Sequence, residues 1–343
     1  MSTAKNNSSS TGNVTIPSAA DLLRKMGYVR PILRDELFTW VLLSLAVYLV
    51  LALSIFEWKS NRVGKKKSKN HQSSAKKLEN FLSRGSLCLL AAVFALARCL
   101  FQQLELRLGD KSELVCTIYQ HQLVEVYHTS LTCLYLLLWV RQLKMYKHKA
   151  LRHLGSPLLR FVSVVVIVGI MASQCATATT YLITFDLITS PFGCVYDLAA
   201  ITDPESSKLV GLLLFATSFV FQFTLLGLLS YPLVKHYRIG VCCSPEQNEK
   251  STSHNVRRTI IRLSICTTAC VLSDMVASCL LMFLHDGITP IMFWADVYSA
   301  NLLFNILFVT LSFTDWKRRL WPCTSLTYNE VASSSNAASS SGV

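Results

Sequence analysis

Charge is what this sequence has least of. Asp, Glu, Lys and Arg make up 15% of its 343 residues, where a soluble domain carries about 25%. A chain this poor in charge cannot give several soluble domains a solvated surface, so the two or three soluble domains its length would allow are excluded. A secretory signal peptide is also missing: the first 35 residues are rich in Ser, Thr and Asn and lack an apolar core of the usual length. No ten-residue segments of alternating polarity suggest a membrane barrel. No glycine loop for phosphate, nucleophile elbow or clustered zinc motif appears, so an enzyme is not expected and no cofactor or metal is implied. Spans one to three show no repeat in spans four to six, which argues against the symmetric transporter folds.

What is present is a set of long apolar runs. Seven approach or exceed the roughly 20 residues that cross the hydrocarbon as a helix: approximately Leu37–Phe56, Leu82–Leu104, Thr117–Val140, Leu158–Ile183, Leu209–Val234, Ile260–Leu284 and Ile288–Phe313. In lipid the backbone must bond to itself, so each is read as a helix. The first run is expected to act as an uncleaved insertion signal. The sixth and seventh are separated only by "HDGITP", whose His285, Asp286, Gly287 and Pro290 predict a tight hairpin.

The formal net charge is +13, but the basic residues sit in short segments between apolar runs and not on one soluble face. That pattern is membrane topology, not nucleic-acid binding. The loop after span one, "KSNRVGKKKSKNHQSSAKK", holds eight Lys or Arg. The loops after spans three and five and the segment "DWKRRLW" after span seven are also basic, whereas the alternate loops are not. Basic loops face the cytoplasm, which places the N-terminus outside and the C-terminus inside. Asn6, Asn7 and Asn13 lie in sequons that can be glycosylated only on that outer side. The expected fold is all-α and integral to the membrane. Residues 1–35 form an extracellular tail, 36–313 a seven-transmembrane helix bundle, and 314–343 a short amphipathic helix with a disordered cytoplasmic tail rich in Ser.

Of twelve cysteines, only Cys116 and Cys194 fall in or beside the outer loops on this topology. Two cysteines alone in an oxidising compartment are expected to pair, tying the loop over the top of the third helix; two free thiols are the alternative. Cys242, Cys243 and Cys323 lie at inner helix ends beside basic residues and are candidates for palmitoylation, with unmodified thiols as the other possibility.

Seven helices, an outer N-terminus and a cysteine opening helix three opposite one in the second outer loop resemble a rhodopsin-like G-protein-coupled receptor. That family closes helix three with Asp-Arg-Tyr at a set distance from the cysteine. Counting 25 residues on from Cys116 reaches Arg141, within Val140-Arg141-Gln142, so the arginine is kept and the acid and tyrosine are not. The family's amphipathic helix matches Trp316-Lys317-Arg318-Arg319-Leu320, with Trp316, Leu320 and Trp321 expected to enter the interface and the basic residues to face lipid headgroups. Counting back, its Asn-Pro-x-x-Tyr falls on Asn305-Ile306-Leu307-Phe308-Val309, where only the asparagine is kept. Tyr231 stands where the family has a tyrosine near the inner end of helix five. The resemblance thus implies a coupling role for Arg141, Tyr231 and Asn305; a plain basic residue at a membrane edge is the simpler account of Arg141. The departures are several: span two has no acid between Glu79 and Glu105, span four no tryptophan, span six no Cys-Trp-x-Pro and span five no mid-helix proline. Leu123 stands where amine receptors carry an aspartate, which argues against a monoamine ligand.

Four charges lie well inside apolar runs: Arg98, Glu125, Asp274 and Asp296. An unpaired charge there costs several kcal/mol, so each is expected to face the bundle interior. Arg98 and Glu125, of opposite sign on adjacent helices, are expected to form a salt bridge, or else each to line a wet cavity. In "YQHQLVEVYH", His121, Glu125 and His128 recur at i, i+4 and i+7, on one face. That spacing permits a metal site, but a polar wall of a ligand cavity fits better, joined by Tyr127, Asp296 and Tyr298; plain core packing is the third option. The expected function is a plasma-membrane receptor that passes the binding of an extracellular ligand to a heterotrimeric G protein. A transporter or channel using the four charges, or a heptahelical scaffold that signals to nothing, are the alternatives.

Overall fold

The computed structural model describes residues 31–67, 86–108, 112–147, 157–184, 187–190, 193–196, 212, 215–216, 219–228, 230–231, 250–284 and 291–322. The sequons at Asn6, Asn7 and Asn13, the side chain of Cys194, and Cys242, Cys243 and Cys323 lie outside the described residues. In chain order the elements are α1 (Pro31–Lys67), α2 (Ser86–Leu108), α3 (Glu113–Lys147), α4 (Pro157–Thr184), β1 (Leu187–Ser190) and β2 (Gly193–Tyr196). The apolar helix α5 (Phe219–Leu228) follows, then α6 (Lys250–Leu284), α7 (Ile291–Leu311) and α8 (Trp316–Leu320).

Among the described residues six helices, α1 to α4, α6 and α7, are long and apolar enough to cross a membrane. This is the architecture of a multi-pass membrane protein. Helix α5 lies within the expected fifth span. Several helices outrun their apolar runs: α1 continues past Phe56 to Lys67, and α6 begins at Lys250, before Ile260. Hydropathy marks the depth of the hydrocarbon, while Lys, Arg and Asn-Val stretches beyond it continue the helix in water with little penalty.

An apolar core fills the bundle, but its outer surface is apolar as well, unlike that of a water-soluble protein. Large apolar side chains such as Leu158, Phe161, Val168 and Ile183 point outward, whereas Arg98, Gln102, Glu105, Asp274, Asp296, Asn301 and Asn305 are buried. With lipid as the outer solvent, apolar side chains lose nothing by facing it, and polar ones must find partners inside. Hydroxyls follow the same rule by bonding to their own helix. Thr117, Thr129, Thr177, Thr224, Thr267, Thr268 and Thr310 each donate to the carbonyl four residues earlier.

Two helices organise the bundle. Helix α7 packs against α1, α2, α3 and α6, and α3 packs against α2, α4 and α7. The loop expected between spans four and five contains an antiparallel hairpin, in which Ile188 faces Val195 and Thr189 faces Cys194. The hairpin packs on α2, α3 and α7, so it caps one end of the bundle, the end that the basic-loop expectation places outside. Helix α8 turns back against α1 and α7. Of its residues Lys317 and Arg318 are exposed as expected, but Arg319 and Leu320 turn inward.

Close approach of α4 and α5 depends on Gly169. A Cβ there would lie 2.5 Å from the Phe221 ring, well inside contact distance. Gly169→Val is therefore expected to destabilise the protein by about 1–3 kcal/mol through overpacking. In a thermal-melting measurement on purified protein, adding Phe221→Ala should recover much of that loss. Independent, additive losses would show that the two helices do not meet there.

Candidate functional site: a polar column along the bundle axis

The buried polar residues form three tiers joined through α3 and α7. In the outer tier Arg98, on α2 and 4% exposed, spreads its guanidinium over three oxygen acceptors. Nε donates to Ser299 Oγ at 3.1 Å and Nη2 to the Ala295 carbonyl at 3.3 Å, while Nη1 donates to the Leu123 carbonyl. The guanidinium also lies 5.1 Å from the centre of the Tyr127 ring, close enough for a cation–π contribution. Beside it Gln102 donates to Asp296 Oδ1 at 2.6 Å and accepts from Ser299 Oγ at 2.9 Å. Thr39 of α1 donates to the same Asp296 oxygen at 3.1 Å. Four helices thus converge on one arginine and one aspartate.

The middle tier centres on Asp274 of α6. Its Oδ1 accepts from Asn301 Nδ2 at 2.8 Å and Asn305 Nδ2 at 2.5 Å, and its Oδ2 accepts from the Tyr135 hydroxyl. Ser273 donates to Asn301 Oδ1 at 2.5 Å, and Asn301 Nδ2 reaches the Tyr127 hydroxyl at 3.1 Å. That last bond links the two tiers, since the same Tyr127 ring carries Arg98. A cavity of about 10 Å³, room for roughly one water, is bordered by Tyr135, Asp274 and Asn305.

In the inner tier Arg141 of α3 donates to both the hydroxyl and the carbonyl of Ser312, the latter at 2.8 Å. Its guanidinium lies 4.3 Å from the centre of the Phe313 ring. Arg319 of α8 lies 3.8 Å from the centre of that ring, bonds Asp315 at 2.9 Å and approaches Glu57 of α1 at 3.9 Å. Nearby, the Tyr48 hydroxyl donates to the Leu320 carbonyl at 2.6 Å and Arg262 of α6 to the Phe313 carbonyl at 3.3 Å. The turn between α7 and α8 is therefore gripped from α1, α3 and α6. Beyond the span, Tyr146 donates to the Leu228 carbonyl at 2.7 Å, and burial pushes its phenol up to about 12, so it remains a donor at neutral pH.

Several sequence expectations meet this geometry differently. Arg98, Asp274 and Asp296 face the interior. Glu125 does not: it is exposed on the outside of the bundle, and the expected Arg98–Glu125 salt bridge is not formed. Arg98 lies on the other side of α3, where it bonds the carbonyl of Leu123. Nor do His121, Glu125 and His128 act as one wall. His121 is half-buried, while His128 Nδ1 bonds Gln174 Oε1 on α4. Among the described residues no three His, Cys, Asp or Glu lie together in a way that could hold a metal. Tyr127 packs edge-on against both His128 and Tyr298, at 5.3 and 5.0 Å. Tyr231 is 41% exposed near the end of the described part of the fifth helix. Cys116 is fully buried and disulfide-bonded, and the hairpin carrying Cys194 packs on its helix.

Sequence reasoning missed Gln102, Tyr135, Asn301 and Ser312, and also Glu105, which accepts from Gln120 at 2.5 Å. The one available signal was spacing: Asn301 stands one turn before Asn305, on the same face of α7. With the geometry in hand, comparison with known proteins adds no assignment: no protein-family model matches the chain, and no curated protein matches it.

Truncating Asp274 to Ala would strand a phenol and two amides in an apolar interior. It should lower thermal stability by about 3 kcal/mol, with Asp274→Asn milder because one acceptor oxygen remains. A double-mutant cycle of Arg98→Ala and Glu125→Ala should give a coupling energy below about 0.5 kcal/mol. A larger coupling would mean that the two side chains do pair.

Proposed function

We propose that this protein is a seven-helix, rhodopsin-like receptor of the plasma membrane that transmits binding of an extracellular ligand to a heterotrimeric G protein. The observation that carries this reading is the contact between Arg141 and the α7–α8 turn. Two positions singled out by counting from opposite ends of the bundle, Arg141 and the amphipathic helix at Trp316, are here joined through Ser312 and Phe313. In this arrangement the arginine that would meet the G protein is occupied. A ligand that binds better to the alternative arrangement shifts the population toward it and frees the arginine.

The polar column supports the reading in a second way. It runs from the outer ends of α2, α3 and α7 as far as α6, through the contact of Arg98 with the Tyr127 ring and the hydrogen bonds of Tyr127, Asn301, Asp274 and Asn305. A change in which Arg98 or Asp296 exchanges partners for a ligand therefore disturbs contacts that extend to Asp274 of α6. In the same reading, Cys116 pairs with Cys194, Asn6, Asn7 and Asn13 carry glycans outside, and the inner cysteines Cys242, Cys243 and Cys323 carry palmitoyl chains.

A transporter is the second reading, favoured by that same column, since chains of polar groups along a bundle axis also conduct ions or protons. Its pathway would use Arg98, Asp296 and Asp274, and Glu125 would take no part.

Basal second-messenger output separates the two at matched surface expression. The receptor reading expects Arg141→Ala to abolish coupling. Ser312→Ala, which removes a hydroxyl acceptor, and Phe313→Ala, which removes the ring beneath the guanidinium, should each raise ligand-free output about tenfold, the shift expected from losing roughly 1.4 kcal/mol of contact with Arg141. No effect of any of the three, together with solute or ion flux that depends on Asp296, would establish the transporter.

A further inference from the structure

The outward turn of Glu125 leaves an ionisable side chain facing lipid. Helix α3 spans Glu113–Lys144, 32 residues, which overhangs a ~30 Å hydrocarbon by about 9 Å at each end. Glu125 lies about 18 Å along the helix from Glu113 at 1.5 Å per residue, hence inside the hydrocarbon. Among the described residues neither Glu125 nor His121, one turn above it, has a side-chain hydrogen bond or ion pair. Glutamate is too short to reach the headgroups from that depth, and no water reaches it through lipid.

The rest of this face has the form of a helix seam. Leu114 is 70% and Ile118 50% exposed, and Glu125 and Thr129 are exposed as well. Positions 114, 118, 121 and 125 follow spacings of four, three and four, the pattern of side chains that interlock between two helices crossing at a small left-handed angle. The next residue in that series, His128, is already committed to Gln174 of α4, so the seam occupies the outer half of α3.

From this geometry we infer that the outer half of α3 is a self-association surface, at which two copies of the chain pair and each Glu125 takes the His121 of the other copy. The occupant follows from the chemistry of the face itself, which carries both an acceptor and its complementary donor one turn apart. A two-fold axis along the membrane normal sets the two α3 helices side by side in the same direction, and an isologous contact then makes the Glu125–His121 pair twice. Leu114 and Ile118 would pack above the polar pairs and exclude headgroup water from them. The inference is independent of what the receptor binds or whether it signals, because it uses a face that the polar column does not.

The test is energy transfer between donor- and acceptor-labelled copies of the full-length chain, reconstituted in phosphatidylcholine vesicles and titrated by diluting protein into lipid. Wild type should show transfer above random proximity that falls on dilution. Glu125→Leu should weaken the association constant about tenfold or more, the loss of two polar interhelical pairs of roughly 0.7 kcal/mol or more each, and His121→Leu should do the same. The exchange His121→Glu with Glu125→His keeps both partners on the seam and should restore association, which a mutation that merely damaged folding would not allow. Random-proximity transfer for wild type, or association unchanged by Glu125→Leu, would overturn the proposal. So would association lost in the exchanged protein despite wild-type thermal melting. A wild type that stays monomeric and pairs only with a different chain bearing a basic transmembrane residue would likewise overturn it.

Discussion

Inside a bilayer a polar side chain has only the protein to bond with, and the whole bundle is arranged around that constraint. Arg98 is its clearest instance: a guanidinium at the centre of α2, satisfied by a serine hydroxyl, two backbone carbonyls and an aromatic face. Those acceptors come from α3 and α7, so the arginine fixes the rotation and depth of both helices relative to α2. The two carbonyls have bonds to spare, since a helix carbonyl carries a second lone pair beyond its own intrahelical bond. Moving any of the three helices by a fraction of a turn would strand a charged donor in hydrocarbon, and so the outer tier sets the register for the tiers beneath it.

The middle and inner tiers solve the same problem with different chemistry. Asp274 is held by three neutral donors, a phenol and two amides, which draw α6 toward α3 and α7. Such a site binds the carboxylate without a counter-charge, and it can be rearranged one hydrogen bond at a time. At the inner end, Arg141 and Arg319 share the Phe313 ring from two helices. Two like charges converge there, and among the described residues only Asp315 and Glu57 form ion pairs with either. A rigid outer anchor, a neutral-donor relay and an inner contact of like charges are unequal in stability.

The sequence revealed this plan unevenly, for physical reasons. Hydropathy located six of the seven expected spans because the cost of burying charge in lipid is large, and the same cost predicted that Arg98, Asp274 and Asp296 would turn inward. The family resemblance pointed to α8 but not to the inward turn of Arg319, because a five-residue helix can rotate either basic face toward its neighbours. Two partners of Asp274, Tyr135 and Asn301, were invisible, because an asparagine or tyrosine in an apolar run is a small signal beside a charge; Asn305 was singled out, but not as a partner of Asp274. Ser312 escaped for the same reason, although its hydroxyl and carbonyl together hold Arg141.

Glu125 is the most instructive case, because the rule that predicted its partner was sound and its application failed. Opposite charges at similar depth on adjacent helices attract, but a helix offers 360° of rotation and the pairing rule is silent about it. The rotation of α3 is set by side chains with more to lose. Leu123 offers its carbonyl to Arg98, Tyr127 offers its ring to Arg98 and its hydroxyl to Asn301, and Ser130 donates to the Ala91 carbonyl at 2.8 Å. Those contacts turn positions 123, 127 and 130 inward, and a residue two positions from Leu123 is carried about 200° around the helix. Glu125 therefore faces outward as a consequence of satisfying Arg98. The charge that the bundle does not need is left on its lipid face, one turn from a histidine, where only another protein surface can satisfy it.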